Sequence, residues 1–258
     1  DASHELRTPL AAIRGYAEFA LRHPGPVPED VTHALSRVQA ESARMSVLVD
    51  DLLLLARLDA GRPLGREPVD LSRLAIDVTS DARVAVADHR WMLDLPDEPV
   101  LVTGDEHRLH QVLANLLSNA GKHTPPGSTV TVALRVASGP MSGQAAASDQ
   151  GAASGRGAAS GREPGESMDR QGVTPSPPFA EISVTDNGPG IPPDLLPEVF
   201  ERFARADTSR ARSEPNGDSG HSTGLGLAIV SAVVIAHGGS VAVTSRPGRT
   251  VFTIQLPD

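Results

Sequence analysis

Residues 138–178 set the first constraint on any fold. They hold 8 Gly, 7 Ser, 7 Ala and 5 Pro, no Leu, Ile or Phe, and a tandem GAASGR repeat at 151–156 and 157–162. Such a stretch buries too little apolar surface to offset the entropy of ordering it. The core must therefore be built on either side of it. The β-branched runs that flank it, Thr129–Val136 and Phe179–Thr185, read as two strands of one hairpin separated by a disordered insertion. Loop-closure entropy grows slowly with length, so this hairpin closes without help from the insert.

Before the insert the texture is helical. Apolar residues at Leu6, Leu10, Ile13 and Ala17, with Leu21 beyond, share one helix face. Pro24, Gly25, Pro26 and Pro28 stop that helix. A second run carries Leu35, Val38, Met45, Leu48, Val49, Leu52 and Leu55 and ends near Gly61 and Pro63. Two such helices across a short Pro-rich turn make an antiparallel hairpin with one long apolar stripe. A second copy would cover the stripe in a four-helix bundle, and the rest of the same chain is the alternative cover.

From Pro68 onward helices and strands alternate. Helices are expected at Asp70–His89, Asp105–Lys122 and Leu225–His237, and further strands at Val100–Thr103, Val241–Thr244 and Val251–Leu256. That order predicts a two-layer α/β domain. The division falls at residues 1–66 for the hairpin and 67–258 for the α/β domain, with 138–178 inserted in the latter. A formal charge of −9 disfavours nucleic acid as a partner. The absence of Cys excludes disulfides and thiolate-ligated metal sites. The longest strongly apolar stretch, Leu227–Ala236, is broken by Ser231 and is far short of the roughly 20 residues a membrane span needs. The chain reads as soluble and intracellular, and as a fragment whose N-terminal portion is cut away.

Several polar groups are candidates for chemistry. His4 points about 150° away from the Leu6–Ala17 stripe, beside Glu5 and one turn before Thr8, with Pro9 following. It is either a solvated surface histidine or a nucleophile whose ring proton Glu5 orients. Asp105, Arg108, Gln111, Asn115, Asn119 and Lys122 recur along one helix. The amides of Asn115 and Asn119, four apart, project from one face and suit a hard cation that bridges phosphates, with Lys122 beside them. Ordinary capping on a polar helix is the plainer reading. Asp186-Asn187-Gly188-Pro189-Gly190 ends a strand in a turn where Asp186 can accept from an exocyclic amine. Gly224-Leu225-Gly226-Leu227 opens the apolar helix, where exposed N–H groups suit a phosphate. Between the two glycine loops lie Phe200, Arg202, Phe203, Arg205, Arg210 and Arg212 and a polar stretch, Ser213–Ser222, that reads as a basic, mobile lid.

In order along the chain, these pieces resemble the catalytic core of two-component sensor histidine kinases. Ser3-His4-Glu5-Leu6-Arg7-Thr8-Pro9-Leu10 is similar to the family's H-box, and Asn115–Ala120 to its N-box. Asp186–Gly190 and Gly224–Leu227 are similar to its two glycine boxes, and Val199–Phe203 to its F-box. The resemblance implies an α+β fold: half of a dimeric four-helix bundle, then a Bergerat-type two-layer sandwich like that of gyrase B and MutL. It implies ATP and Mg²⁺, with Asn119 and Asn115 on the metal and Asp186 on adenine. Lys122, Arg205 and Arg210 would meet phosphates, and His123, Gly188, Gly190, Gly224, Leu225 and Gly226 would line the nucleotide. It further implies that His4 is phosphorylated with Glu5 as base. A response-regulator receiver domain would take the phosphoryl group, and Thr8 would assist its dephosphorylation. His123 stands where the family often has Tyr, and Ser222 where it often has Gly.

The competing readings are a nucleotide-binding phosphatase or scaffold that acts on the regulator without autophosphorylation, and a plain ATPase, which the H-box disfavours. The catalytic portion is expected in the cytoplasm, and any plasma-membrane anchor in segments upstream of Asp1.

Overall fold

The computed structural model describes residues 2–22, 28–138, 178–204 and 224–257, with the backbone alone given for 2–9, 21 and 30. The two leading helices form as the apolar spacing predicts. α1 runs Ala2–Arg22 through Pro9, and α2 runs Glu29–Asp59. Gly61 takes a left-handed φ of 65° and closes α2, its N–H bonding the Leu58 carbonyl while the Arg62 N–H bonds that of Arg57. Leu10 and Ala17 of α1 are buried, whereas Ile13, Tyr16 and Phe19 are exposed.

The hairpin stripe is covered at one end only. Leu54 and Leu55, at the end of α2, are buried in the same apolar core as the sheet that follows. Val38, Met45 and Leu52 stay exposed. The chain's own α/β domain thus covers one end of the stripe.

Beyond α2 the order is β1 (Glu67–Asp70), α3 (Leu71–Ala85), β2 (Arg90–Asp94), β3 (Leu101–Gly104), α4 (Glu106–His123), β4 (Thr129–Ser138), β5 (Pro178–Asp186), α5 (Gly226–Ala236), β6 (Ser240–Arg246) and β7 (Arg249–Pro257). Asp70 and Asp105 cap α3 and α4, each accepting the backbone N–H three residues on, which fixes where both helices start. β1 and β3 form a small antiparallel ribbon, and the main sheet has the order β2-β4-β5-β7-β6. Val130, Val132 and Leu134 of β4, Ile182 and Val184 of β5, and Phe252 and Ile254 of β7 all face one core. α3, α4 and α5 supply its other half, so the domain is a helix layer on a sheet.

Two expectations need correction. The third helix ends at Ala85, not near His89, and Arg90–Asp94 is a strand parallel to β4. Trp91 is inside with Arg90 and Met92 outside, a strand too short to have been assigned from the sequence. β1 was not foreseen, because four residues carry no periodic signal. The flanking hairpin, by contrast, forms: β4 and β5 pair antiparallel down to Ser138 opposite Pro178. Both bounding residues belong to strands, and 139–177 lies outside the described residues.

Candidate active site

α4 carries the polar stripe, and the structure splits it in two. Its N-terminal half turns toward α2. Asp105 caps the helix through Arg108 N–H (3.1 Å), accepts Gly65 N–H (3.3 Å), and gives its own N–H to His237 Nε2 (3.0 Å). Arg108 donates to Gln111 Oε1 (3.0 Å), and Gln111 Nε2 donates to Asp51 on α2 (3.3 Å). Burial here, with Asp50 adjacent, pushes the Asp51 carboxyl up to about 6 against the opposing pull of Arg108. Half of the spacing-based constellation thus fastens the hairpin to the α/β domain.

The C-terminal half meets the glycine loops. Asn115 Nδ2 donates to the Gly226 carbonyl (3.2 Å), which joins the middle of α4 to the start of α5. Asn119, one turn on, is half-buried and has no hydrogen-bond partner among the described residues. Lys122 and His123 are exposed at the end of α4. Partial desolvation of the His123 ring by neighbouring protein holds its pKa down, Lys122 adding to the effect and Asp186 opposing it.

Asp186 ends β5 and is 7% exposed. Burial raises its pKa, while the Gly188 N–H that it accepts at 2.9 Å and nearby His123 act in the other direction. One carboxylate oxygen is thus used to shape the turn. The next residues brace the loop: Asn187 Oδ1 accepts Thr129 N–H (2.8 Å), and a Cβ on Gly188 would lie 2.5 Å from Thr124 Cγ2. Gly190, at φ 85°, makes room for the Arg246 carbonyl, so close backbone packing accounts for that glycine.

The second glycine loop is held from the F-box. Phe203 N–H donates to the Gly224 carbonyl (2.9 Å), and both residues have positive φ, 65° and 69°. These two residues sit beside the ends of 205–223, so Arg205, Arg210, Arg212 and Ser213–Ser222 lie outside the described residues. Arg202, in the F-box, pairs with Asp59 of α2 at 2.5 Å. Phe200 packs edge-on to Phe252. A cleft of about 580 Å³ opens between Leu55, Leu58, Phe200, Arg202 and α5, and neither Asn119 nor Asp186 lines it. His4, Glu5 and Thr8 lie on α1 as backbone only.

Comparison with known proteins assigns this arrangement. A family described as His Kinase A (phospho-acceptor) domain matches residues 1–61, and one described as histidine kinase-, DNA gyrase B- and HSP90-like ATPase matches 166–258. The chain is 52% identical to the probable sensor histidine kinase TcrY of Mycobacterium tuberculosis over all of its own length. The chain belongs to the two-component sensor histidine kinases.

The sensor histidine kinase TrcS of the same organism is 47% identical, again over the whole chain. The chain spans 44% of TcrY and 42% of TrcS. The crystal structure of full-length ShkA in complex with AMPPNP superimposes over 99% of this chain and 44% of its own, with a TM-score of 0.69 and 25% identity. The second family match starts at 166, inside the segment after β4. It therefore omits α4, yet the five-stranded sheet takes β2 and β4 from the first half and the rest from the second. A histidine kinase ATPase fold is thus assembled across the insert.

Proposed function

We propose that this chain is the core of a histidine kinase that phosphorylates His4 from ATP and passes the phosphoryl group to an aspartate of a response-regulator receiver domain. The observation that carries the reading is that the C-terminal half of α4 touches both glycine loops, Asn115 reaching Gly226 at the start of α5 and Thr124 packing against Gly188 in the Asp186 turn. Both contacts lie in a chain that also presents an H-box helix. The division into a 1–66 phosphotransfer hairpin and a 67–258 nucleotide-binding domain belongs to the same reading.

Asp186 accepts the exocyclic amine of adenine with the oxygen that Gly188 leaves unused. Gly188 and Gly226 let backbone approach the nucleotide, Gly224 and Leu225 set the start of α5 against the phosphates, and Gly190 holds the adenine turn. Lys122, with Arg205 and Arg210 from the segment before Gly224, neutralises phosphate charge, and His123 flanks the base. The amide oxygens of Asn119 and Asn115 fit Mg²⁺: Asn119 is unpartnered among the described residues, and Asn115 spends its nitrogen on Gly226 and keeps its oxygen. Bound there, Mg²⁺ supplies charge neutralisation across the phosphates. One ring nitrogen of His4 attacks the γ-phosphorus. The bond to the bridging oxygen breaks with its electron pair leaving on ADP, and Glu5 takes the proton from the other ring nitrogen. Positioning carries most of the catalysis in such a transfer.

The exposed Ile13, Tyr16, Phe19, Val38 and Met45 support dimerisation of the hairpin with a second copy. No helix among the described residues is long and apolar enough to cross a membrane. We place the catalytic portion in the cytoplasm and assign any membrane anchor to sequence outside it.

Incubation with [γ-³²P]ATP and Mg²⁺ tests the reading. Acid-labile, alkali-stable label on the wild type and none on His4→Gln is expected. Equal label on both overturns it. No label, with faster dephosphorylation of a phosphorylated regulator that Thr8→Ala abolishes, establishes the phosphatase alternative instead.

A further inference from the structure

We propose that His89 and Thr124 are positioning residues for nucleotide selectivity: with Asp88 they form a brace that aims the Asp186 carboxylate. The inference rests on the reading of Asp186 as the adenine acceptor.

His89 is 8% exposed, and both of its ring nitrogens are engaged. Nδ1 lies 2.7 Å from Asp88 Oδ1, and Nε2 lies 2.8 Å from Thr124 Oγ1. Thr124 Oγ1 also lies 2.7 Å from the Ala120 carbonyl. A carbonyl only accepts, so the single hydroxyl hydrogen of Thr124 goes to Ala120. The ring's Nε2–H then donates to Thr124. Trp91 stacks on the ring at 6.1 Å and is itself tied by Nε1 to the Val86 carbonyl (3.0 Å). The imidazole is therefore held on several sides at once.

Thr124 passes this constraint on. Two bonds fix its hydroxyl, and a β-branched side chain with a fixed hydroxyl has a fixed methyl. That methyl fills the space where a Cβ on Gly188 would sit. Gly188 N–H in turn bonds Asp186 Oδ1. Orientation thus runs from His89 to Thr124, to Gly188 and to the carboxylate. The backbone follows the same path: Gly127 N–H bonds the Asp88 carbonyl, Arg90 N–H bonds the Ser128 carbonyl, and Thr129 N–H bonds Asn187 Oδ1, each at 2.8 Å.

The direction of the carboxylate decides which base is accepted. Adenine presents an amine to it. Guanine presents a carbonyl there, which a fixed carboxylate repels and leaves unpaired. Loosening the brace therefore weakens ATP-type binding and leaves the already poor guanine binding where it was.

The test is titration calorimetry of the whole chain with AMPPNP and GMPPNP, alongside thermal unfolding of each variant. Thr124→Val keeps the shape and removes the hydroxyl. Gln reaches as far as Nε2, whereas Asn reaches only Nδ1. Thr124→Val and His89→Asn are expected to lose roughly 3- to 10-fold in AMPPNP affinity, the scale of one hydrogen bond, with GMPPNP unchanged. His89→Gln restores the preference to within about 2-fold. Equal loss for both nucleotides, or equal behaviour of His89→Asn and His89→Gln, overturns the brace. The second comparison holds even where Thr124→Val fails to fold. Asp186→Asn separates the two levels: if it leaves the AMPPNP preference intact, the adenine reading itself fails. If it removes the preference while Thr124→Val does not, the brace alone fails.

Discussion

Asp51→Asn makes the junction between the hairpin and the ATPase domain measurable. Asp51 ionises near 6 in the fold against 3.8 for an ordinary Asp, chiefly because α2 and α4 bury it and secondarily because of Asp50. At about 1.4 kcal/mol per tenfold, holding it ionised costs the folded state about 3 kcal/mol above pH 6. The folded value lies above the unfolded one. The stability Asp51 contributes is therefore full below about pH 4 and is lost as the pH rises through about 6. Asn keeps an oxygen for Gln111 Nε2 and carries no charge. Urea unfolding is expected to find Asp51→Asn more stable than wild type at pH 7.5 by about 1–3 kcal/mol. The gap should narrow by about 1.4 kcal/mol on going to pH 5, where the wild-type carboxyl is largely protonated in the fold and ionised in the unfolded chain. A variant less stable than wild type at pH 7.5, or a gap independent of pH, refutes the reasoning.

Two further outcomes are expected. Replacing 139–177 with Asn-Gly joins strands that already pair at Ser138 and Pro178, so AMPPNP affinity should stay within about 2-fold of wild type; a tenfold loss by calorimetry would give the insert a place in the fold. Gly224→Ala forces a side chain into φ 69° with its Cβ 2.8 Å from Phe203 Cα, and chemical denaturation should show a loss of about 2 kcal/mol or more, a neutral result removing the steric argument.

Some of this protein was written locally in the chain. Helical spacing, the Asp70 and Asp105 caps and the insert's lack of large apolar residues are short-range properties. Each placed its element to within a few residues. The order of the motifs along the chain by itself points to the family. The two glycine turns were legible for the same reason, since Asp186–Gly190 follows from the end of β5 and Gly224–Gly226 leads into α5.

Contacts between distant segments were not legible. Arg90–Asp94 became a strand because β4 offered it a free edge, and five residues carry too little periodicity to announce one. Arg202 joined Asp59 across 143 residues, and Gln111 joined Asp51 across 60. His89 found Thr124 across 35. A polar side chain takes whichever partner the packed chain brings within about 3 Å, and that depends on which faces the apolar core has already turned inward. The sequence by itself determined the parts and their chemistry. The tertiary structure decided which half of α4 meets the two glycine loops and which half holds the hairpin.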